Sequence, residues 1–239
     1  MTKPVSALLL GLALGVAPAA AQEAGRFKVV PSFGIMRFDR TSALSSIETG
    51  LSTQLWPTAG LQALYGVRSG VRAGLYLDVT RPETSSDYYA YALLKTGNNY
   101  QLFGVSQRVV VLSYGVTATV DVPFARKIGP YLRGGIGRHS VFADVQRTNS
   151  TESITGTEFS LGGGLSYAVS EAIGLRLELS DFMWSNWDRE DLDPVAPAVR
   201  NTTFPEDNPV GLLWGSRSLI HNLRLTLGFS FTPSGGSTR

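Results

Sequence analysis

The clearest pattern in the chain is a strict alternation of apolar and polar residues close to its end. Such a period of two places successive side chains on opposite faces of a β-strand. Because one face is aliphatic and the other contains an arginine, the pattern indicates a strand between two unlike solvents. The apolar face carries Leu219, Leu223, Leu225, Leu227, Phe229 and Phe231, and the polar face carries Asn222, Arg224, Thr226, Gly228 and Ser230.

The same alternation recurs along the chain and predicts eight strands in all. Their phase is regular except at His139 to Phe142, where a β-bulge would explain a slip. The predicted strands are Phe27–Phe38, Thr53–Tyr65, Val71–Thr80, Gln107–Phe124, Pro130–Val145, Thr157–Val169, Ile173–Trp184 and Leu219–Phe231.

The connections between these strands differ in length in a regular way. Short turns are predicted at Gly66–Gly70, Ala125–Gly129 and Ser170–Ala172, and polar loops at Asp39–Gly50, Arg81–Ser106, Gln146–Gly156 and Ser185–Arg217. Short and long connections that alternate along an even number of strands are typical of an up-and-down antiparallel barrel. We therefore predict an all-β, eight-stranded antiparallel transmembrane β-barrel, with both termini on the side of the short turns.

The distribution of charge decides which solvent lies on which side of the predicted barrel. The polar rows mix glycine, serine and threonine with charges of both signs, whereas the apolar rows carry no charge through the middle of the third, fourth, sixth, seventh and eighth predicted strands. A charge on a lipid-facing surface near the bilayer midplane would cost about 2 to 4 kcal/mol. A soluble lipocalin-like barrel would show the inverse arrangement, so the pattern favours lipid outside and a polar lumen inside.

Aromatic residues near the predicted strand ends fit the girdles that barrels place at the membrane interfaces. The residues assigned to these girdles are Tyr65, Tyr114, Tyr167, Trp184, Phe229 and Phe231.

The N-terminal segment has the features of an export signal. Lys3 precedes an apolar run from Val5 to Val16, and the alanines that end at Ala21 fit the small-residue cleavage rule, with Gln22 as the first mature residue. The predicted organisation is therefore a cleaved signal at 1–21, a barrel at 22–231 and a short flexible tail at 232–239.

Composition agrees with an exported barrel and excludes other classes. The chain is 43% hydrophobic and 17% charged, which is less apolar than a helical membrane protein because only every second residue of a barrel strand faces lipid. No cysteine is present, so no disulfide framework holds the fold. The formal net charge of +2 gives no reason to expect a nucleic-acid partner.

Three local sequences resemble the small outer-membrane barrels typified by the OmpA transmembrane domain and OmpX. They are Pro130-Tyr131-Leu132-Arg133-Gly134-Gly135-Ile136-Gly137, Leu175-Arg176-Leu177-Glu178-Leu179, and His221 to Phe231. The resemblance implies residence in the outer membrane of a Gram-negative cell envelope, surrounded by lipid and lipopolysaccharide, with periplasmic termini. It also implies recognition by the barrel assembly machinery through Phe229 and Phe231, although Thr232 to Arg239 follow the last aromatic residue.

The inward charges predict a network across the lumen. An eight-stranded barrel is just wide enough for its own side chains, and buried charges must pair. A network of this kind would close the lumen, or it would form a gated, porin-like path for small solutes or ions. The predicted members are Arg72, Asp78, Asp121, Arg133, Arg176, Glu178 and Arg224, with Glu158 as a further candidate.

Catalytic and metal chemistry receive little support from the sequence. The two histidines, His139 and His221, lie outside a His-x-Ser motif and are expected to be polar residues of a rim or turn. The acidic cluster of Asp188, Glu190, Asp191 and Asp193 lacks the spacing of a calcium loop. We expect no enzyme activity, although a lipid A-modifying enzyme is the third alternative, and no cofactor or metal.

The long loops are the predicted place of interaction. The loop at Ser185–Arg217 carries Trp187, Phe204 and Trp214, and the loop at Arg81–Ser106 carries four tyrosines. Loops held by a rigid scaffold commonly carry binding function. The predicted function is therefore a structural or surface-interaction role with an external partner, and the alternative is a small channel.

Overall fold

The computed structural model describes residues 24–39, 42, 44, 55–82, 92–96, 99–103, 109–122, 128–145, 150–170, 172–188 and 216–233. The predicted signal peptide, the cleavage site at Ala21 and Gln22, and residues 234–239 of the predicted tail lie outside these ranges. In the part described, no helix is long and apolar enough to cross a membrane.

Eight antiparallel strands close into a barrel, which confirms the predicted fold class. Around the barrel the order is β1-β10-β9-β8-β7-β6-β3-β2, and β2 pairs with β1 to complete the ring. The barrel strands are β1 (Phe27–Arg37), β2 (Trp56–Arg68), β3 (Val71–Thr80), β6 (Val109–Asp121), β7 (Ile128–Val145), β8 (Ser150–Ala168), β9 (Ile173–Asp188) and β10 (Ser216–Phe231). A separate hairpin, β4 (Ala92–Thr96) paired with β5 (Asn99–Phe103), interrupts the loop predicted between β3 and β6.

The alternation in sequence becomes two chemically different walls. Leu75, Leu132, Leu161 and Leu179 point outward and are 57 to 64% exposed, whereas Arg133 and Arg224, on the opposite faces of their strands, are 1% exposed. An outer wall of exposed aliphatic residues around a charged interior suits a lipid environment, because a protein in water does not expose apolar surface on this scale.

Several predicted boundaries are corrected by the backbone. β2 continues to Arg68 through a register shift after Gly66, which leaves a turn at Ser69 and Gly70, whose φ is 69°. β8 begins at Ser150, within the predicted loop at Gln146–Gly156. Backbone hydrogen bonding with the neighbouring strands persists past the points at which the side-chain pattern becomes irregular, which is why the pattern ended these strands too early.

The predicted slip in β7 is also wrong. The pairing of β7 with β6 and with β8 runs without a register shift past His139 and Phe142. His139 and Val141 continue the inward row of Tyr131 and Arg133 and are buried. The alternation of apolar and polar residues becomes irregular there because the side chains that fill the lumen change from charged to apolar.

Strand lengths give the barrel an uneven rim. β3 has 10 residues, close to the roughly 9 to 11 that cross a bilayer, whereas β7, β8, β9 and β10 have 16 to 19. The extra residues lie at the end opposite the short turns, which we call the long-loop end. The other end, where the chain segments 24–26 and 232–233 also lie, is the short-turn end.

Candidate functional site

The middle of the lumen is built around one carboxylate, Glu178, which points inward from β9. Its Oε1 atom accepts hydrogen bonds from Arg133 Nη1 at 3.0 Å, Arg224 Nη2 at 2.8 Å and the Ser180 hydroxyl at 2.8 Å. Its Oε2 atom accepts hydrogen bonds from the Tyr131 hydroxyl at 3.0 Å and from Gln62 Nε2 at 3.4 Å. These partners come from β2, β7, β9 and β10, so Glu178 links strands on several sides of the lumen.

Two further contacts complete this cluster, which we call the Glu178 network. Arg176 Nη2 lies 3.9 Å from Glu178 Oε2, with its guanidinium 4.0 Å from the centre of the Tyr131 ring. Arg224 also forms an ion pair with Asp78 on β3. All five ionic members, Arg133, Arg176, Arg224, Asp78 and Glu178, are at most 7% exposed.

A second, separate polar cluster lies nearer the long-loop end, around Glu158 on β8. Its carboxylate accepts hydrogen bonds from the Tyr76 hydroxyl at 2.9 Å, the Ser113 hydroxyl at 2.6 Å and Trp184 Nε1 at 2.8 Å. All three donors are neutral, so the expectation that Glu158 joins the arginine pairing is wrong. We call this the Glu158 cluster.

Phe182 joins the two clusters. Its ring lies beneath two guanidinium groups, 5.4 Å from Arg133 and 4.6 Å from Arg224, and meets Tyr76 edge-on at 6.2 Å. It is 1% exposed. Phe182 thus marks the level at which the lumen changes from charged to aromatic.

Aromatic side chains fill the lumen between Phe182 and the long-loop end, and we call this group the aromatic plug. Trp184 stacks on His139 at 4.3 Å and packs against Trp187 at 5.1 Å and Phe38 at 5.7 Å. These four residues are at most 1% exposed, as is the neighbouring Leu44. The plug closes the described part of the lumen toward the long-loop end.

The aromatic plug overturns two expectations. Trp184, predicted in an interfacial girdle, and His139, predicted at a rim or turn, are both buried in the lumen. Trp187, expected in an exposed loop, is also buried in β9. The alternation in β9 could have predicted the inward position of Trp184, because Phe182 and Trp184 are an even number of residues from the inward-facing Glu178.

The other predicted girdle residues lie on the outer wall. Tyr65, Tyr114, Tyr167 and Phe231 are exposed there, and Phe229 follows the same outward phase of β10.

The remaining predicted lumen charges lie apart from the Glu178 network. Arg72 Nη1 and Asp121 Oδ2 form an ion pair of 2.6 Å at the short-turn end. The structure therefore places the seven predicted residues in two groups, five at the centre of the lumen and two at its mouth.

His221 and Asp181 occupy a different location, on the outer wall. Their Nδ1 and Oδ2 atoms are 2.7 Å apart, and the His221 side chain is 52% exposed. No serine hydroxyl is hydrogen-bonded to this pair among the described residues, so the geometry gives no nucleophile.

Among the described residues, no group of three or more potential metal ligands is present. Asp188 ends β9, whereas Glu190, Asp191 and Asp193 lie outside the described ranges.

A closed barrel with an apolar outer wall and a charged lumen defines the class of membrane-spanning β-barrels. The model of the family described as outer membrane protein beta-barrel domain matches residues 6–194, and this chain belongs to that family. Membership places the protein in the bacterial outer membrane. A comparison with curated protein sequences finds no significant match.

Solved structures of other proteins are similar to this chain at low sequence identity. Neisserial surface protein A (NspA) is 14% identical with a TM-score of 0.51, over 86% of this chain and 96% of that chain. OprG from Pseudomonas aeruginosa is 12% identical with a TM-score of 0.49, over 89% and 98%. Ail from Yersinia pestis is 12% identical with a TM-score of 0.45, over 87% and 99%. At 14% identity the likeness to NspA shows the fold alone.

Proposed function

We propose that this protein is a non-conducting barrel that serves as a rigid membrane scaffold and presents its long loops to an external partner. The observation that supports this most strongly is the Glu178 network, which spans the lumen from wall to wall. An ion passing through would have to separate ion pairs whose members are at most 7% exposed. Separating one partner from such a pair is costly, at about 3 to 5 kcal/mol.

The aromatic plug adds a second barrier of a different kind. Phe38, Trp184 and Trp187 offer no polar atoms that could replace the hydration shell of an ion, apart from two indole N–H groups. One of these, Trp184 Nε1, is already engaged by Glu158. Apolar constrictions of this type exclude water and ions. A polar block and an apolar block in series support a closed lumen.

The orientation in the membrane is also part of the proposal. Outer-membrane barrels place short turns in the periplasm and long loops outside the cell. We therefore assign the short-turn end, with both chain termini, to the periplasm. The tall wall formed by β7 to β10 then projects from the cell surface, and the β4–β5 hairpin belongs to a surface loop. A rigid wall that carries long connections suits a surface-interaction role.

Single-channel recording of the refolded mature protein in planar bilayers tests the closed lumen, with a heat-modifiability gel to confirm folding. We expect the folded protein to be silent. Because the two blocks lie in series, Trp184→Gly combined with Glu178→Gly removes one side chain from each block and should permit openings. As the matched control, Trp184→Gly combined with Leu179→Gly on the outer wall should remain silent. Stable conductance from the folded unsubstituted protein would contradict the proposal.

The surface role is tested in cells that lack the native gene. The full chain is compared with a variant whose residues 190–208 are replaced by a short Gly-Ser linker. If the loop carries the function, the linker variant should fold and reach the outer membrane. It should fail, however, to reverse the defect that loss of the gene causes in these cells. Complete restoration by the linker variant would leave only the scaffold role.

A small channel is the second candidate, and one observation favours it. The short-turn end of the lumen opens into a cavity of about 210 Å³ lined by charged side chains, which is how an ion path would begin. The Glu178 network ends that cavity in the structure. The channel hypothesis therefore requires rearrangement of the network, and voltage-dependent openings of the unsubstituted protein would support it.

A further inference from the structure

The outward rows of neighbouring strands change from apolar to charged toward the long-loop end. On β1, Arg37 follows Ile35 in the outward row, and on β9, Asp181 follows Leu179. Arg37 and Asp181 are both register partners of Leu223 on β10, which lies between these two strands. Two opposite charges therefore flank one leucine where the apolar outer wall ends.

Asp181 is an acidic side chain in an aliphatic setting. Its register partners on β8 and β10, Leu161 and Leu223, are 64% and 44% exposed on the outer wall. Its Oδ2 atom is 2.7 Å from His221 Nδ1, whereas its Oδ1 atom makes no hydrogen bond in the described structure. A carboxylate oxygen without a donor is costly where water is scarce. The side chain is 27% exposed, so a donor can approach the carboxylate from the lipid side.

Arg37 is the complementary cation. Its guanidinium makes no hydrogen bond or ion pair with the residues that the structure describes, so its N–H donors remain available. Arg37 lines a cavity of about 320 Å³ together with Phe38, Asp39, His221 and Leu223. Since one water occupies about 30 Å³ in the liquid, this space accommodates a polar group of several non-hydrogen atoms.

The arrangement of these charges suits a group that carries both signs. Adjacent strands lie about 4.8 Å apart, which separates the Cα atoms of Arg37 and Asp181 by roughly 10 Å. A phosphoethanolamine group holds a phosphate and an ammonium at the two ends of a short linker. Its phosphate can accept two parallel hydrogen bonds from the Arg37 guanidinium, and its ammonium supplies the donor that Asp181 Oδ1 lacks. An anion without the ammonium would instead be repelled by Asp181 and Asp39.

We propose that this part of the outer wall binds the phosphoethanolamine headgroup of a membrane lipid, with the phosphate on Arg37 and the ammonium on Asp181. The acyl chains lie along the apolar wall beside Leu223, which is why the ligand is a lipid and not a soluble zwitterion. The site goes beyond the proposed scaffold function, because its occupation requires neither an open lumen nor a loop partner.

Nuclear magnetic resonance of the mature protein in neutral detergent micelles tests the proposal. Short-chain phosphatidylethanolamine is titrated while the amide of His221 and the methyl groups of Leu223 are followed. Phosphatidylcholine, whose ammonium has no N–H donor, and phosphatidylglycerol, which has no ammonium, are titrated in parallel with the same acyl chains. We expect saturable shifts from all three lipids, with about tenfold tighter binding of phosphatidylethanolamine.

Two variants assign the two charges of the headgroup. Asp181→Asn keeps the side-chain shape but removes the charge that attracts the ammonium, so the preference for phosphatidylethanolamine should disappear. Arg37→Gln should weaken binding of all three lipids by about tenfold, because each carries a phosphate. A heat-modifiability gel confirms that both variants are folded. A purely structural role of Asp181 would change stability without changing the ratio of the lipid affinities.

Arg138→Gln is the matched control, because it removes an exposed arginine of β7 and leaves the proposed site intact. Its lipid affinities should equal those of the unsubstituted protein. Equal affinities for the three lipids, or a preference that persists in Asp181→Asn, would overturn the proposal. Equally tight binding of free phosphoethanolamine, which has no acyl chains, would overturn the assignment to a lipid. Because neither current nor growth is measured, these outcomes are independent of the tests of the scaffold function.

Discussion

Two carboxylates in the same lumen are stabilised by opposite means. Glu178 is surrounded by Arg133, Arg176 and Arg224, whereas Glu158, among the described residues, accepts hydrogen bonds only from the neutral donors Tyr76, Ser113 and Trp184. They lie on adjacent strands, β9 and β8, at different heights. The difference shows that the lumen is filled in two layers, one held by charge and the other by shape and hydrogen bonding.

This comparison predicts that the two layers respond differently to the same chemical change. Arginine cannot give up its proton in a protein, so the charge layer fails when its central anion is neutralised. Tyrosine, serine and tryptophan carry no charge that would be left uncompensated. Replacing each glutamate with glutamine, which preserves shape, therefore separates charge from packing.

The largest effect is expected from Glu178→Gln. The substitution leaves three buried guanidinium groups with Asp78 as their one remaining anionic partner, and removing a partner from a buried ionic group costs about 3 to 5 kcal/mol. We expect a decrease of that size in the free energy of unfolding. Urea unfolding in lipid vesicles, followed by heat-modifiability and tryptophan fluorescence, measures it.

Ser180→Ala is the control for Glu178→Gln, because it removes a neutral hydrogen bond to the same Oε1 atom. It should cost about 1 kcal/mol. Equal costs for the two variants would show that charge does not hold the central layer together.

A smaller effect is expected where the layers meet, from Phe182→Leu. Leucine keeps most of the apolar volume but loses the aromatic face beneath Arg133 and Arg224. Buried cation–π contacts contribute up to about 2 kcal/mol, and we expect a loss of that order in the same unfolding assay. Phe159→Leu on the outer wall is the matched control and should change stability less, since no cation lies over an outward ring at that position in the described structure.

The sequence predicted the walls of the barrel well and its contents only in part. Alternation in β3, β9 and β10 assigned the inner and outer faces correctly, because each strand sees one solvent on each side. The phase also held the information that Trp184 and His139 face inward. The girdle prediction for Trp184 follows instead from the general preference of aromatic residues near strand ends for the membrane interface.

The pairing inside the lumen could not be read from one sequence. Glu178 meets Arg133 and Arg224, which are 45 and 46 residues away, because strand tilt and stagger set which inward rows share a height. Alternation fixes the face of a residue but not its height relative to distant strands. For the same reason the sequence could not separate the Arg72–Asp121 pair from the central network.

The third effect in size is that of Glu158→Gln, which tests the shape-held layer. The amide oxygen can replace the Oε2 atom that accepts from Ser113 and Trp184. The amide nitrogen then faces the Tyr76 hydroxyl, which can turn to accept a hydrogen bond. We expect a cost of about 1 kcal/mol. A cost as large as that of Glu178→Gln would show that the two layers are not different in kind.

The smallest effect is expected at the mouth of the lumen, from Asp121→Asn. This ion pair with Arg72 is short at 2.6 Å, but the Asp121 side chain is 31% exposed, and partly hydrated pairs contribute about 0.2 to 1 kcal/mol. The cost should shrink further as salt is raised, because the mouth is accessible to counterions. The cost of Glu178→Gln should instead persist in high salt, since mobile ions do not reach the central layer. If salt reduced both costs equally, ions would have access to the centre of the lumen, and the closed scaffold would have to give way to the channel.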